Sequence, residues 1–496
     1  VISQIVWNTD VARSKNLSRI AILGAGIGGL SAACRLSKLG HKVTVFEQSA
    51  FAGGKCQTES IDGYVFDTGP SLFTLPAVYR DLFLKTGDPI EHVLDLVPVN
   101  PAFEYRFDNG NVLKYDTNLN DLLTEISSSY DHQSAQQWKT LLQRGHDMWQ
   151  LSRNSFLENP NPALRDFVTS KGFFRNLKLM APNKSLRDLG SEIVSNADLR
   201  MIIDRYATYT GSDPRKAPGA LLTIPFIEQA FGAWHIRGGV GTLSRALFER
   251  AESLGTDFHF NSSITAVRKS SRRIESIEVE GTNISDFDIF ISNIDHSLLN
   301  EMIDGKKIKS DTPSLAGFVL LLGVSKPILG SHNTVLFPQD YDQEFDALFG
   351  ANPKLVKQPT IYICSPQDDS MVPQSGHQSW FVLVNAPSSK FVDWGNPDIS
   401  TTYAKSIIEQ IQQRGLLRSE DIVSMTVRTP LDLQARTNAP GGAIYGSPLH
   451  GSPFKRPTNI TAFQNLFEVG GSVHPGGGLP MVGLGAANVS EYIGKA

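Results

Sequence analysis

Apolar positions cluster in short uninterrupted runs at the two ends of the chain and recur at helical spacing in its middle. Ile20 to Leu23 is apolar and runs into Gly24. A run of that length bounded by glycine predicts a strand buried on both faces. Leu30 to Leu39 carries apolar residues at helical spacing and stops at Gly40, and Lys42 to Phe46 predicts a second strand. Pro76 to Lys85 patterns as a helix. Phe103 to Tyr115 reads EYRF, Asp-Asn-Gly-Asn, VLKY, and its Asn109-Gly110 pair predicts a hairpin that begins a second sheet.

From Leu119 to about Ala230 helical spacing dominates. It predicts helices over Leu122 to Tyr130, Ala135 to Leu151, Leu164 to Phe167, Phe173 to Met180, Ser185 to Leu189 and Ala197 to Tyr209. Thr242 to Leu254 is a further helix. A strand pair follows, Phe258 to Val267 and Ile274 to Val279, then an apolar strand, Phe287 to Ser292. Phe318 to Val324, Thr334 to Phe337, Thr360 to Ser365, Trp380 to Asn385 and Ile422 to Thr429 predict strands, the first four in one mostly antiparallel sheet. Ile399 to Gln413 is a helix, Asn465 to Val469 the last strand and Gly485 to Ile493 the last helix. Alternation of this kind predicts an α/β fold.

Composition changes the picture little. At 496 residues the chain exceeds one compact core, so two domains are expected. A net charge of −4 offers no footprint for nucleic acid. The three cysteines, Cys34, Cys56 and Cys364, have neither metal-ligand nor disulfide-framework spacing, which fits a reducing compartment. Val1 to Ser18 is polar and irregular and is expected to be a loose leader. No apolar run reaches the roughly 18 residues of a spanning helix.

The first strand–helix–strand unit carries the clearest chemistry. Gly24, Gly26 and Gly29 have G-x-G-x-x-G spacing between strand and helix, with Gly28 among them, and Glu47 closes the second strand. Gly24 permits the tight turn, Gly26 the approach of a pyrophosphate and Gly29 close packing of helix on sheet. The helix N-terminus attracts phosphate, and Glu47 is placed to accept ribose hydroxyls. That predicts an adenine dinucleotide. A second glycine pair, Gly53-Gly54, precedes Lys55, and Asp67-Thr-Gly69-Pro70 follows. An extended FAD passing this loop uses both. Lys55 is read either as a phosphate partner or as a solvated surface lysine.

The glycine fingerprint, Glu47, GGKCQT and FDTGPSLF together resemble the flavin-containing amine oxidase and phytoene desaturase superfamily. The run from Glu468 to Val482, with His-Pro-Gly-Gly-Gly-Leu-Pro, resembles the bacterial-type carotenoid desaturases more closely than the amine oxidases. The resemblance implies a Rossmann-like FAD-binding domain (19–90, 232–300 and 455–496) after a leader (1–18). It also implies a discontinuous α+β substrate domain (91–231 and 301–454) with a mixed sheet and a helical, membrane-facing part (119–231). By the same resemblance Ile264 lies near the adenine and Asn293 at the exit from the nucleotide lobe. Gly471, Ser472, Pro480, Met481 and Val482 lie along the ribityl chain and ring.

The resemblance further implies hydride transfer from an allylic carbon of a carotenoid to FAD, then loss of a neighbouring proton. The FAD is expected to be noncovalent, since no cysteine lies in the final run. Met481 points to late-acting 3,4-desaturation of a hydroxylated carotene, with phytoene as the alternative substrate. A flavin amine oxidase and a non-catalytic prenyl-binding protein of the same fold are competing functions. His474 is read either as a base or as a structural residue in a tight turn, and no side chain is assigned as catalytic. No metal site is expected. The enzyme is expected to be cytoplasmic and peripheral on the membrane, and the basic, aromatic stretch from Leu119 to Phe231 is read either as core or as the surface that docks there. The acceptor that reoxidises the flavin, oxygen or a quinone, stays open.

Overall fold

The computed structural model describes residues 17–163, 173–305, 314–328 and 330–496. Strand β1 (Arg19–Leu23), helix α1 (Ile27–Lys38) and strand β2 (Lys42–Phe46) form the expected unit. They belong to a five-stranded parallel sheet that places β2 and then Asp257–His259 on one side of β1. Ile289–Ser292 and Leu466–Glu468 lie on the other side. Ile20, Ala21, Ile22 and Leu23 have no exposed surface. Ile20 and Ile22 join one core cluster while Ala21 and Leu23 join another, so both faces of the strand are covered. That is why its sequence is apolar without alternation.

The second sheet has seven strands. Ile422–Arg428, Ala316–Val324, Gln378–Ala386, Ile361–Cys364 and Asn333–Leu336 run antiparallel in that order. The hairpin Phe103–Arg106 and Val112–Tyr115 joins at the edge through one parallel pairing. Phe318, Leu320 and Leu322 pack with Ile407 and Ile411 of the helix Pro397–Gln413. The opposite face of the sheet, at Val319, Phe381 and Leu383, looks into a cavity.

Leu119–Ser129, His132–Ser152, Phe173–Met180, Leu186–Ile193 and Ala197–Arg205 are helices. Trp138 and Trp149 of the aromatic stripe are buried, so their fate is core. The helix expected over Leu164 to Phe167 and the leader up to residue 16 lie outside the described residues.

Two expectations need correction. Phe258 to Val267 is not one strand. Asp257–His259 ends in the parallel sheet, Asn261 takes a left-handed turn at φ 52°, and Ile264–Ser270 starts a separate three-stranded sheet. Asn tolerates that conformation better than most residues, so the break costs little. The last helix begins at Leu479, six residues before Gly485. Pro480 in its first turn has no amide for the helix to lose.

Candidate active site

Between the two sheets lies a cavity of about 1090 Å³. That is slightly above the roughly 300–1,000 Å³ of ordinary ligand pockets, which suits a large or elongated occupant. Gly24, Gly26, Gly28, Glu47, Gly53, Gly54, Lys55, Gly69, Pro70, Ile264, Asn293, Gly471, Ser472, Pro480, Met481 and Val482 all line it. Residues spread from one end of the chain to the other thus meet in one space. Gly29 does not line the cavity. A Cβ there would lie 2.1 Å from the Gly24 carbonyl oxygen, so Gly29 serves the packing of α1 on the strand turn.

Main chain makes much of this wall. A Cβ on Gly26 would stand 2.5 Å from Asn293 Nδ2. One on Gly28 would stand 2.5 Å from Asn293 Oδ1 and 3.0 Å from the Gly470 amide. Helix α1 starts at the cavity with Gly26 as its N-cap and no side-chain cap, and Leu479–Ile493 starts there with Gly478 in the same condition. Uncapped N–H groups and the positive end of a helix attract negative charge. One such terminus lies beside the glycine fingerprint, suited to pyrophosphate. The other lies beside the final glycine run, suited to the electron-rich edge of a flavin. An extended FAD fits this cradle.

Glu47 is buried, and its two oxygens accept the Ala25 amide at 2.7 Å and the Ser49 amide at 2.9 Å. Each oxygen keeps a second lone pair for ribose hydroxyls. Lys55 is not a solvated lysine. Its Nζ donates to the carbonyls of Ala443 and Ile444 at 3.0 and 2.9 Å, and burial pushes its pKa down against the nearby Asp295. Ser472 accepts the His296 amide at 3.1 Å, which ties the final loop to the strand exit at Asn293. Asp67 accepts the Val240 amide at 2.7 Å, and burial raises its pKa to about 7.

His474 takes the structural role. It is 2% exposed, its Nε2 lies 2.9 Å from the Phe156 carbonyl, and the Phe156 ring meets it edge-on at 4.7 Å. Burial lowers its pKa to about 4, so it is neutral near pH 7. Its own carbonyl accepts from Asn459 at 2.7 Å.

Several cavity residues were not singled out by sequence. Arg456 is buried and donates to the carbonyls of Tyr445 and Gly471 at 3.2 and 2.9 Å, between the two C-terminal glycine runs. Arg205, Tyr209 and Glu228 lie in the wall contributed by the helical region. The one signal in the chain was a lone charge within an apolar run, as at Glu228 in LLTIPFIEQAF.

The model of the flavin containing amine oxidoreductase family matches residues 27–375. The chain is 31% identical to a 1-hydroxycarotenoid 3,4-desaturase of Flavobacterium sp. (strain P99-3), with 96% of this chain and 99% of that one covered. It is 28% identical to a 4,4'-diapophytoene desaturase (4,4'-diaponeurosporene-forming) of Staphylococcus haemolyticus (strain JCSC1435), covering 95% and 98%. Among solved structures, an oxidoreductase from Methanosarcina mazei superposes with a TM-score of 0.65 at 16% identity, covering 95% of this chain and all of that one. That last likeness speaks for the fold alone. With the fold, the glycine cradle and these relatives in agreement, the chain belongs to the flavin-containing amine oxidoreductase family, on its carotenoid-desaturase branch, and its cofactor is FAD.

Proposed function

We propose that this protein is an FAD-dependent carotenoid desaturase that introduces a double bond into a hydroxylated carotene at the 3,4 position. One observation carries the reading. The glycine-lined cradle opens without interruption into a compartment walled by Phe156, Met180, Leu221, Ile224, Ile227 and Leu449. An isoprenoid chain offers nothing for ion pairing, and apolar side chains are what it needs. The name of the Flavobacterium relative supports the hydroxylated substrate, and Met481 in the cavity wall is consistent with it.

FAD, when bound, supplies hydride acceptance from an allylic carbon. We assign its binding to Gly24, Gly26, Gly28 and Glu47 at the adenosine and pyrophosphate end, with Ile264 beside them. Gly53, Gly54, Lys55, Gly69, Pro70 and the run from Gly471 to Val482 serve the rest. The apolar wall holds the polyene in register and keeps water away, and such alignment is a large part of what a protein contributes to a reaction. We assign residues 19–90, 232–300 and 455–496 to the FAD-binding domain, and 91–231 and 301–454 to the substrate domain.

We also propose that the enzyme docks on the membrane that stores its substrate. No described helix is long and apolar enough to cross a membrane. Leu177 lines the cavity and is 42% exposed, between the exposed Arg175 and Lys178 on the helix Phe173–Met180. An apolar residue flanked by cations at a cavity mouth suits the interface of an anionic bilayer. The flavin is reoxidised by oxygen or a quinone.

The test is direct. Heat-denatured protein should release free FAD. Holoenzyme in liposomes should shift the absorption maximum of a 1-hydroxylated carotene to the red as conjugation grows. Conversion of phytoene with the hydroxylated carotene untouched would overturn the substrate and leave the desaturase reading. Inertness towards both would overturn the reading itself.

A further inference from the structure

The substrate compartment holds a charge that hydrocarbon does not explain. Arg205 ends the helix Ala197–Arg205, is 7% exposed and lines the cavity. Its guanidinium carbon lies 5.2 Å from the ring centre of Phe103, 5.1 Å from that of Tyr209 and 5.5 Å from that of Tyr362. Nη1 donates to Tyr209 Oη at 2.7 Å, and among the described residues Arg205 forms no ion pair. Three aromatic faces offset part of the cost of burying the cation. Guanidinium has five N–H donors, and one is engaged.

An acceptor stands close by. Glu228 of the helix Thr223–Phe231 is 2% exposed and also lines the cavity. It accepts from Tyr206 Oη at 2.6 Å and from Tyr209 Oη at 3.4 Å. The Tyr209 hydroxyl therefore bridges the cation and the carboxyl. A carboxylate has about four lone-pair sites, so capacity remains for another donor.

The cluster lies towards the flavin end of the compartment. Tyr445 shares the wall, and a Cβ on Gly477 would lie 2.2 Å from the Tyr445 ring. Tyr362, whose ring faces Arg205, accepts a hydrogen bond from Ser71 Oγ at 3.1 Å, next to Gly69 and Pro70. One aromatic residue thus joins Arg205 to the Gly69-Pro70 turn.

We propose that Arg205, Tyr209 and Glu228 form the receptor for a hydroxyl group that the carotene carries a few carbons from the bond to be desaturated. The inference rests on the desaturase reading and says what recognises its substrate. A hydroxyl both accepts and donates, so it can take an N–H from Arg205 and give its O–H to Glu228. With Glu228 ionised, as it is above about pH 7, a carbonyl only accepts and leaves that carboxylate without a donor. A carboxylate would face Glu228 with like charge. A plain hydrocarbon end satisfies neither group. Position agrees with chemistry, because a hydroxyl on C1 is two carbon–carbon bonds from C3. A receptor close to the ring therefore aligns the C3–C4 bond with it, whereas one at the remote end of the cavity would not.

Holoenzyme in phosphatidylcholine liposomes, given a 1-hydroxylated carotene or the same carotene without the hydroxyl, tests this through the ratio of the two kcat/KM values. The wild type should prefer the hydroxylated substrate. Arg205→Met should lower that ratio by about 10- to 100-fold, the effect of removing a charged hydrogen bond. Tyr209→Phe, a gentler change that keeps the ring, should lower it in the same direction. The flavin spectrum should stay that of the wild type in both. An equal loss on the two substrates, loss of flavin from both variants, or an unchanged ratio would overturn the assignment. Wild-type enzyme that converts both carotenes equally would overturn it too and leave the desaturase reading standing. Inertness towards both carotenes would remove the two together.

Discussion

At the end of the cavity we assign to FAD, Gly26, Gly28, Gly53, Gly54 and Gly471 present main chain, and two uncapped helix starts present amides. At the end we assign to the substrate, Phe156, Met180, Ile224, Arg205 and Glu228 present side chains. Each end also contains a buried arginine, and the two are held differently. Arg456 is tied to the carbonyls of Tyr445 and Gly471, while Arg205 lies among rings with a tyrosine hydroxyl as its partner. A wall of main chain binds by what is missing, since a single methyl would close it. A wall of side chains binds by what is present and can be changed one contact at a time. The first suits a constant cofactor and the second a particular substrate.

Four measurements would break or sharpen this contrast. The largest effect is expected for Gly28→Val. Its Cβ alone would stand 2.5 Å from Asn293 Oδ1 and 3.0 Å from the Gly470 amide, and two further methyls follow it. Overpacking of about 3 kcal/mol corresponds to roughly a hundredfold loss of FAD affinity. Wild-type flavin content in this variant would end the account of the flavin end as a backbone site.

Glu47→Ala should weaken FAD by about 10- to 100-fold, through a lost charged hydrogen bond of roughly 1.5–3 kcal/mol. Titration of apoprotein with FAD reads it. Glu47→Gln should lose less, because one oxygen remains for the Ala25 or Ser49 amide. Equal losses in the two variants would mean that the backbone contacts carry nothing.

Leu177→Glu addresses the cavity mouth. The fraction that floats with anionic liposomes should fall by about tenfold, as expected when one apolar side chain worth roughly 1.5–3 kcal/mol leaves the bilayer interface. High salt should lower wild-type flotation by screening Arg175 and Lys178. Flotation indifferent to both the substitution and salt would place the docking surface elsewhere.

The smallest effect belongs to Glu228. Burial raises its pKa from an ordinary 4.5 to about 7 in the folded protein. Folding therefore favours the protonated acid. Its contribution to stability is complete below pH 4.5 and is lost as the pH rises through about 7. Glu228→Gln should flatten the fall in melting temperature between pH 5.5 and 8.5 by a few degrees. Asp67, raised to about 7 in the same direction, leaves a residual slope. A variant with the full wild-type slope would show that Glu228 ionises freely in the fold.

The flavin end was legible in the sequence because it is written in short contiguous words. G-x-G-x-x-G, the glycine pair before Lys55 and the final His-Pro-Gly-Gly-Gly-Leu-Pro each state a local backbone requirement. Of the seventeen residues read as cofactor-binding, from these motifs, their flanks and the family resemblance, sixteen line one cavity, and the exception, Gly29, has the packing role its position in the motif implies. The division of Phe258 to Val267 into two strands was less legible, since Asn261 differs from its neighbours only in tolerating a left-handed turn.

Periodicity and glycine spacing, both properties of neighbours in the chain, determined by themselves the strand–helix–strand unit, the hairpin, the helical middle and an adenine dinucleotide as cofactor, which the second glycine loop and the family resemblance narrowed to FAD. The tertiary structure alone decided that Lys55 holds the carbonyls of Ala443 and Ile444, that His474 is locked against Phe156, and that Arg205, Glu228 and Tyr445 share one wall. These groups come from segments far apart in the chain. Each is an ordinary polar residue in its own segment. Packing of the helical region against the seven-stranded sheet buries Arg205 and Glu228 together, and only then do their charges and hydrogen bonds act on one another.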